Sequence, residues 1–204
     1  MFYSTLNIKN VKRLITTAIF ATFVSVLFAQ EFVLTPLGFR DAADTSRNFV
    51  VIEKPGLTVD LLQKDVISIL NKTYNRAEDE IISEPGKVTL KTRHPNQINY
   101  RGAVGSPVVA LWLQYSVTIQ FKGGKFRVDD PGISLMSIRD PTTLKRKVVF
   151  YSTPLLNKAA DEQPYYLFND KGENLSKETT DQLTKIFNDL LKQLASAKAA
   201  TDNN

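Results

Sequence analysis

A single histidine, His94, is the side chain of this sequence best suited to act as a general base near neutral pH. It lies in "RHPN", at the start of a segment rich in proline, glycine and asparagine (residues 93–107) that we interpret as a loop. Functional side chains are common in loops, but no nucleophile stands near His94 in the sequence. A zinc site here would need distant carboxylates as its other ligands. The histidine alone therefore predicts neither a catalytic site nor a metal site.

Two further groups of residues could do hydrolytic chemistry, and a third segment could bind calcium. Ser106 follows a glycine in "GAVGSP", but this is not the G-x-S-x-G motif, and Pro107 does not suit the strand-to-helix turn of that motif. Asp129 and Asp130 are adjacent carboxylates, and neighbours on a strand point to opposite sides, so they would share no substrate. "NDKGEN" (residues 169–174) lacks the alternating ligands of a calcium loop and predicts a turn. We predict no catalytic, cofactor or metal residues.

A Gly-Gly pair (residues 123–124) stands between Lys122 and Lys125, as it would in a phosphate-binding loop. Such a loop must lead into a helix whose N-terminal amides face the anion. Here Phe126 and Val128 instead continue an alternation of apolar and polar residues. Two glycines between two alternating runs predict the tight turn of a β-hairpin, with the lysines as solvated strand ends.

Aromatic residues leave binding alternatives open. "LKRKVVFYS" mixes basic and aromatic residues as single-strand nucleic-acid binders do, but we favour a strand that buries Val148 and Phe150. Four other aromatic residues could form an exposed platform for a sugar or a peptide, or could belong to the core: Trp112, Tyr165, Tyr166 and Phe168.

The strands that must position these residues are indicated by alternation. Residues 111–121 alternate strictly and predict the clearest strand, whose polar side is Gln114, Ser116, Thr118 and Gln120. "FVVIEKPG" (residues 49–56) predicts a buried strand, and "DEIISEPGKVTLKT" (residues 79–92) predicts two strands around a Pro-Gly turn. A short edge strand is expected at residues 32–34.

Two segments have helical periodicity. The first begins after Thr58, a good N-cap, and its apolar positions are Val59, Leu62, Val66, Ile69 and Leu70. The second spans about residues 177–199 after Ser176 as N-cap, with Leu183, Ile186, Phe187, Leu190, Leu191 and Leu194 as its apolar stripe. This order of elements predicts an α+β domain in which both helices pack on one face of an antiparallel sheet. The opposite face would meet water or a partner.

The first residues predict export. Lys9, Lys12 and Arg13 precede an uncharged apolar stretch (residues 14–28), and Ala29 supplies the small residue needed for cleavage before Gln30. The stretch is shorter than the roughly 20 residues that span a bilayer. We predict a signal peptide at residues 1–29, with an uncleaved membrane anchor as the alternative.

Charge and cysteine content exclude several classes of function. Cleavage leaves 23 basic against 21 acidic residues, so the net charge falls from +5 to +2, which argues against a nucleic-acid partner. The absence of cysteine excludes disulfides, thiolate metal sites, cysteine nucleophiles and a lipoprotein anchor. We expect one domain over residues 30–199, with a less regular extension at 131–175, and a frayed tail at 200–204.

Several stretches resemble a family of exported bacterial domains of unknown function with a TATA-box-binding-protein-like (TBP-like) fold. They are "NFVVIEKPG", "LLQKDVISILNKTYN", "IISEPGKVTL" and "YSVTIQFKGGKFRV", and the resemblance covers about residues 45–130. It implies a TBP-like fold and export. It carries no catalytic signature, and fold alone does not imply function.

These observations favour an exported, non-enzymatic binding or scaffolding domain of the bacterial envelope, periplasmic or secreted. The expected partner is an envelope protein, a peptide or a glycan, with no cofactor, no nucleic acid and no stable membrane anchor after cleavage. The alternative is a small exported hydrolase that uses His94 or the acidic residues near Asp129. A carboxylate or a serine beside His94 in a cleft would favour the hydrolase.

Overall fold

The computed structural model describes residues 30–101, 108–137, 148–149 and 165–197. In chain order the elements are β1 (Phe32–Thr35), β2 (Gly38–Asp41), β3 (Phe49–Glu53), α1 (Val59–Thr73), β4 (Glu80–Glu84), β5 (Lys87–Arg101), β6 (Val108–Lys122), β7 (Lys125–Asp129), β8 (Gly132–Ser137), β9 (Val148–Val149), β10 (Tyr165–Tyr166) and α2 (Lys177–Ala195). The predicted signal peptide with Ala29, the tail at 200–204, and Ser106, Pro107 and Phe150 lie outside the described residues.

The main sheet is antiparallel and is built around the long β5–β6 pair. Its strand order is β3-β7-β6-β5-β4. β5 pairs along one side of β6. β7 and β8 therefore share the other side of β6, where β7 pairs with its end and β8 with its middle. The predicted strands at residues 49–56, 79–92 and 111–121 are confirmed, and β1 and β2 form a separate hairpin.

The prediction of a loop at residues 93–107 was wrong for its first part. β5 continues to Arg101 and pairs with β6 as far back as Val108. A β-bulge makes this possible: between His94 and Ile98 the register shifts, so that the segment with Pro95 lies opposite a shorter piece of β6. Proline lacks the amide proton of a strand ladder and is tolerated at such a bulge. Ile98 returns to the core, fully buried.

The core lies between the apolar face of the sheet and the two helices. α1 buries Leu62, Val66 and Leu70. α2 buries five residues of its apolar stripe: Leu183, Phe187, Leu190, Leu191 and Leu194. All eight side chains belong to one cluster with the buried residues of β5, β6 and β7. Because strand side chains alternate, the same packing directs every second residue of these strands to the opposite face.

The helix ends differ in part from the prediction. Thr58 caps α1, because its hydroxyl accepts a hydrogen bond from the Leu61 amide at 3.4 Å. Ser176 lies at the N-cap of α2, but its hydroxyl is 2.7 Å from the Thr179 hydroxyl and does not cap a backbone amide. α2 ends at Ala195, short of residue 199, where the Lys54 ammonium donates to the Ala195 carbonyl. A cation is favourable at that end of the helix dipole.

The hairpin predicted at the Gly-Gly pair is confirmed. Lys122 and Lys125 are paired residues of β6 and β7, so the two glycines form the turn. Of these two glycines, only Gly124 has positive φ, at +75°. Its amide donates to the Leu57 carbonyl at 2.9 Å, and its carbonyl accepts from the Lys54 amide at 2.7 Å. The turn is therefore anchored to the neighbouring loop. Because the Gly124 amide already donates to the Leu57 carbonyl, it is not free to bind a phosphate.

We expect Gly124→Ala to lower the free energy of unfolding by about 1–2 kcal/mol, because a left-handed conformation costs other residues about that much. Gly123→Ala is the matched control, since Gly123 lacks a left-handed φ and has open space at its Cβ position. Urea denaturation of both variants measures the difference. Equal losses for the two variants would contradict the assigned turn.

Candidate functional site

The face of the sheet opposite to the helices is polar, and we call it the open face. Both helices pack on the apolar face. The open face includes the residues that alternate with the buried ones: Thr89, Lys91 and Arg93 of β5, Trp112, Gln114, Ser116, Thr118 and Gln120 of β6, and Arg127 and Asp129 of β7. The polar side predicted for residues 111–121 is thus confirmed, and it continues onto both neighbouring strands.

Two arginines of the open face lie over aromatic rings. The Arg93 guanidinium carbon is 5.7 Å from the centre of the Trp112 ring, and that of Arg127 is 5.0 Å from the Phe49 ring. Both are diagonal cross-strand pairs, because each ring lies two residues before the direct partner of its arginine. Side chains at this diagonal are within reach of each other, and a cation over an aromatic face is attracted to it.

The two arginines differ in their ion pairs. Arg127 Nε lies 2.9 Å from Asp129 Oδ1, an ion pair rather than an aligned hydrogen bond, and the Gln120 amide donates to Asp129 Oδ2 at 2.9 Å. For Arg93, no carboxylate of the described residues lies within ion-pair distance. Its Nε is buried and has no hydrogen-bond partner among those residues.

A depression of about 370 Å³ adjoins Arg93, and we call it the Arg93 depression. Lys91, Arg93 and Ser116 line it together with Glu78 and Glu80. Both glutamates already have cationic partners, Glu80 with Lys91 at 3.3 Å and Glu78 with Arg76 at 3.5 Å. Arg93 is thus the cation of this depression that has no carboxylate within the described parts of the chain.

His94 lies on the other side of β5 and belongs to that strand rather than to the loop that the sequence predicts. Its side chain is only 14% exposed. The ring stacks on Tyr115 at 6.5 Å between centres and meets Tyr74 edge-on at 5.9 Å. Arg76 Nη1 is 2.8 Å from its Nδ1, and Asp79 Oδ1 is 3.7 Å from its Nε2. Asp79 was not predicted as a neighbour of His94, because residues 93–107 were interpreted as a loop and not as a strand paired with β6.

The contacts of His94 fix a neutral ring that is not available as a base. Arginine only donates hydrogen bonds, so Nδ1 must accept from Arg76 and the ring proton must be on Nε2. Burial lowers the pKa of His94, Asp79 opposes this by raising it, and Arg76 lowers it further. The pKa of His94 is lowered overall, because at 3.7 Å Asp79 is too far away to accept a hydrogen bond from Nε2.

No activated nucleophile accompanies His94 in the described residues. The Tyr74 and Tyr115 hydroxyls are 3.2 Å apart, and burial raises the pKa of both phenols, so they stay protonated. The Thr92 hydroxyl donates to Asp79 directly rather than to the imidazole. In a catalytic triad the imidazole stands between the hydroxyl and the carboxylate, and this cluster lacks that order.

The lowered pKa predicts acid sensitivity. An unfolded histidine titrates near 6.5, so below that pH the unfolded chain binds more protons than the folded one. The contribution of His94 to stability is therefore intact above about pH 6.5 and is lost as the pH falls toward its lower folded pKa. Because His94 is the sole histidine, its one Cε1-proton resonance in the untagged protein reports the folded pKa directly. A midpoint above 6.5 would contradict this assignment.

The acidic residues near Asp129 do not form a catalytic pair. Asp129 faces Arg127 and Gln120 on the open face. Asp130 has a different partner: its Oδ1 accepts a hydrogen bond from the side-chain amide of Asn48 at 3.3 Å. Burial raises the pKa of Asp130, and Arg40 opposes this. The two carboxylates thus contact different partners, and Asp130 lies just beyond the end of β7.

The other predicted residues are placed as follows. Phe168 is buried in the core whereas Trp112 lies on the open face, so these two do not share a platform. Residues 169–174 form a turn in which Asn169 Oδ1 accepts from the amides of Lys171 and Glu173. Within the described ranges, no group of three or more histidine or acidic residues could hold a metal ion. Neither helix there is long and apolar enough to cross a bilayer.

Comparison with known proteins identifies a shared fold. No protein-family model and no curated protein matches the sequence. The crystal structure of a DUF4468 family protein from Bacteroides ovatus ATCC 8483 aligns with a TM-score of 0.50 at 15% identity, over 74% of this chain and 86% of that one. The two chains share a fold. This confirms the α+β class with two helices and the likeness to a bacterial domain of unknown function.

A second solved structure, a TBP-like protein from Parabacteroides distasonis ATCC 8503, aligns with a TM-score of 0.44 at 11% identity, over 74% of this chain and 92% of that one.

Proposed function

We propose that this protein is an exported, non-enzymatic binding domain of the bacterial cell envelope, and that the open face around the Arg93 depression holds its partner. The observation that carries the proposal is a polar sheet face that neither helix covers, with an arginine held over a tryptophan beside a depression. The partner proposed for this face is an envelope protein, a peptide or a glycan. The similarity to solved structures supports the fold and not the choice of partner.

The geometry around His94 supports a role in binding or packing over a role in hydrolysis. Asp79 beside the ring is the one observation that favours the alternative, a small exported hydrolase. Against it stand the contact of Arg76 with Nδ1 and the protonated tyrosines. Chromogenic ester and peptide substrates test the alternative. Hydrolysis by the wild-type protein that is lost in His94→Gln would restore it.

Export is supported by the basic and apolar segments before Gln30. We expect the mature protein in the bacterial host to begin near Gln30. Mass spectrometry of the intact exported protein measures this, and a mass that retains Met1 would contradict cleavage.

Site-specific photo-cross-linking tests the open face as the binding surface. A benzophenone side chain at Lys91, which lines the Arg93 depression, should form cross-links in envelope extracts. The same group at Lys72, an exposed lysine in the last turn of α1, is the matched control. Cross-links from position 91 that are absent at position 72 would support the proposal. Equal products at both positions, or products from position 72 alone, would contradict it.

A further inference from the structure

Resting on the proposed function, we infer that Arg93 over Trp112 is a carboxylate-binding subsite and that its ligand is an acidic peptide segment. The open face contains an internal counterpart of this subsite. Arg127 lies over Phe49 in the same diagonal arrangement as Arg93 over Trp112, and it already holds a carboxylate, that of Asp129. The molecule thus shows what an arginine in this arrangement binds.

Arg93 has the same support without the same partner. Asp129 follows Arg127 by two residues on the same strand face, whereas Pro95, at that offset from Arg93, brings no carboxylate. The aromatic ring limits the motion of the guanidinium, so less side-chain freedom is lost when a ligand binds. Guanidinium groups bind carboxylates in a planar geometry with two parallel hydrogen bonds. A ligand carboxylate at Arg93 would therefore supply the counter-charge that Asp129 supplies at Arg127.

The charges around the depression favour an isolated carboxylate over a polyanion. Glu78 and Glu80 line the same depression and would repel a second negative charge. This disfavours nucleic acids and continuous polyuronates. A glutamate or aspartate flanked by uncharged residues fits, and Ser116 can exchange hydrogen bonds with the neighbouring peptide groups.

The position of Trp112 favours a peptide over a sugar. Sugar-binding aromatic residues need an unobstructed ring face, but the guanidinium of Arg93 lies over this ring. A sugar stacking on that side would have to displace the cation. The volume of about 370 Å³ is at the small end for ligand pockets and suits one side chain with its flanking groups.

The sole tryptophan provides a direct readout. Trp112 is the only tryptophan of the chain, so its indole N–H resonance and its fluorescence both report this subsite. The probes are the peptide acetyl-Gly-Ser-Glu-Ser-Gly-amide, its glutamine counterpart and digalacturonate. We expect saturable shifts of the indole resonance with the glutamate peptide, weakened by added salt, and none with the glutamine peptide at equal concentration. Equal shifts with both peptides, or tighter binding of digalacturonate, would overturn the inference.

Two matched variants complete the test. Arg93→Gln should raise the Kd of the glutamate peptide about tenfold or more, the effect of losing a charge-assisted hydrogen bond. Arg127→Gln, which removes the arginine with an internal carboxylate, should change that Kd less than about twofold. Similar effects of both variants would overturn the inference. So would a several-degree fall in the Tm of Arg93→Gln without any binding of the probes, because Arg93 would then have a partner within the chain.

The two proposals fail separately. Selective cross-links from position 91, together with no carboxylate-dependent shift of Trp112, would leave the open face as a binding surface but remove the acidic peptide as its ligand. Carboxylate-dependent shifts together with no selective cross-links would support the subsite and contradict the larger interface.

Discussion

Leu190→Ala is expected to lower the free energy of unfolding by roughly 2–5 kcal/mol, the range for buried leucines. Leu190 is 3% exposed and lies in the middle of the stripe that docks α2 on the sheet. Its loss removes apolar contacts and leaves a cavity that the surrounding β-sheet can fill only in part. Chemical denaturation measures the change.

Leu61→Ala is the matched control, because Leu61 also lies on a helix but is 40% exposed. The same truncation there should cost about 0.5 kcal/mol or less. A loss below about 0.5 kcal/mol for Leu190→Ala would mean that α2 is not docked as the structure has it.

Asn188→Ala is expected to cost about 2 kcal/mol or more, although it removes only a small polar side chain. The side-chain Oδ1 of Asn188 accepts from the backbone N–H of Phe32 at 2.7 Å, and its Nδ2 donates to the backbone carbonyl of Phe32 at 3.1 Å. Both groups are buried, and each loses its partner in the variant. A buried polar group without a partner costs about 1–3 kcal/mol.

Hydrogen exchange separates this effect from general destabilisation. The Phe32 amide proton should exchange faster in Asn188→Ala even under conditions where the core amides of β6 stay protected. Asn48→Ala is the control, since Asn48 is exposed and the bond lost is that of its side-chain amide to Asp130 Oδ1. Unchanged exchange at Phe32 would contradict the assigned contact.

The sequence predicts the parts of the fold that follow a regular period. Strict alternation from residue 111 and the helical stripe with Leu190 each indicate an element and its buried side, because burial imposes the period. The bulged part of β5 has no such period. Pro95 and its polar neighbours have the composition of a loop, and the segment belongs to β5 only because His94 and Ile98 on either side of it pair with β6.

The candidate site depends on information that periodicity lacks. Arg93 and Trp112 meet across two strands, and their diagonal is defined only once the register of β5 and β6 is known. Asn188 is a polar residue beside an apolar stripe, and its pattern gives no sign that it bonds the backbone of Phe32. Both are contacts between distant parts of the chain, which local patterns do not encode.

The bond between Asn188 and Phe32 also bears on the order of folding. It joins a hairpin near the beginning of the described chain to its last helix, and the two partners are 156 positions apart in the sequence. Contacts of such long sequence separation form late, because the intervening chain must first be brought together. During synthesis, Phe32 and Phe39 emerge long before Phe187, against which Phe39 packs at 4.8 Å between ring centres. A nascent chain therefore carries an apolar hairpin without its docking surface until α2 has been made.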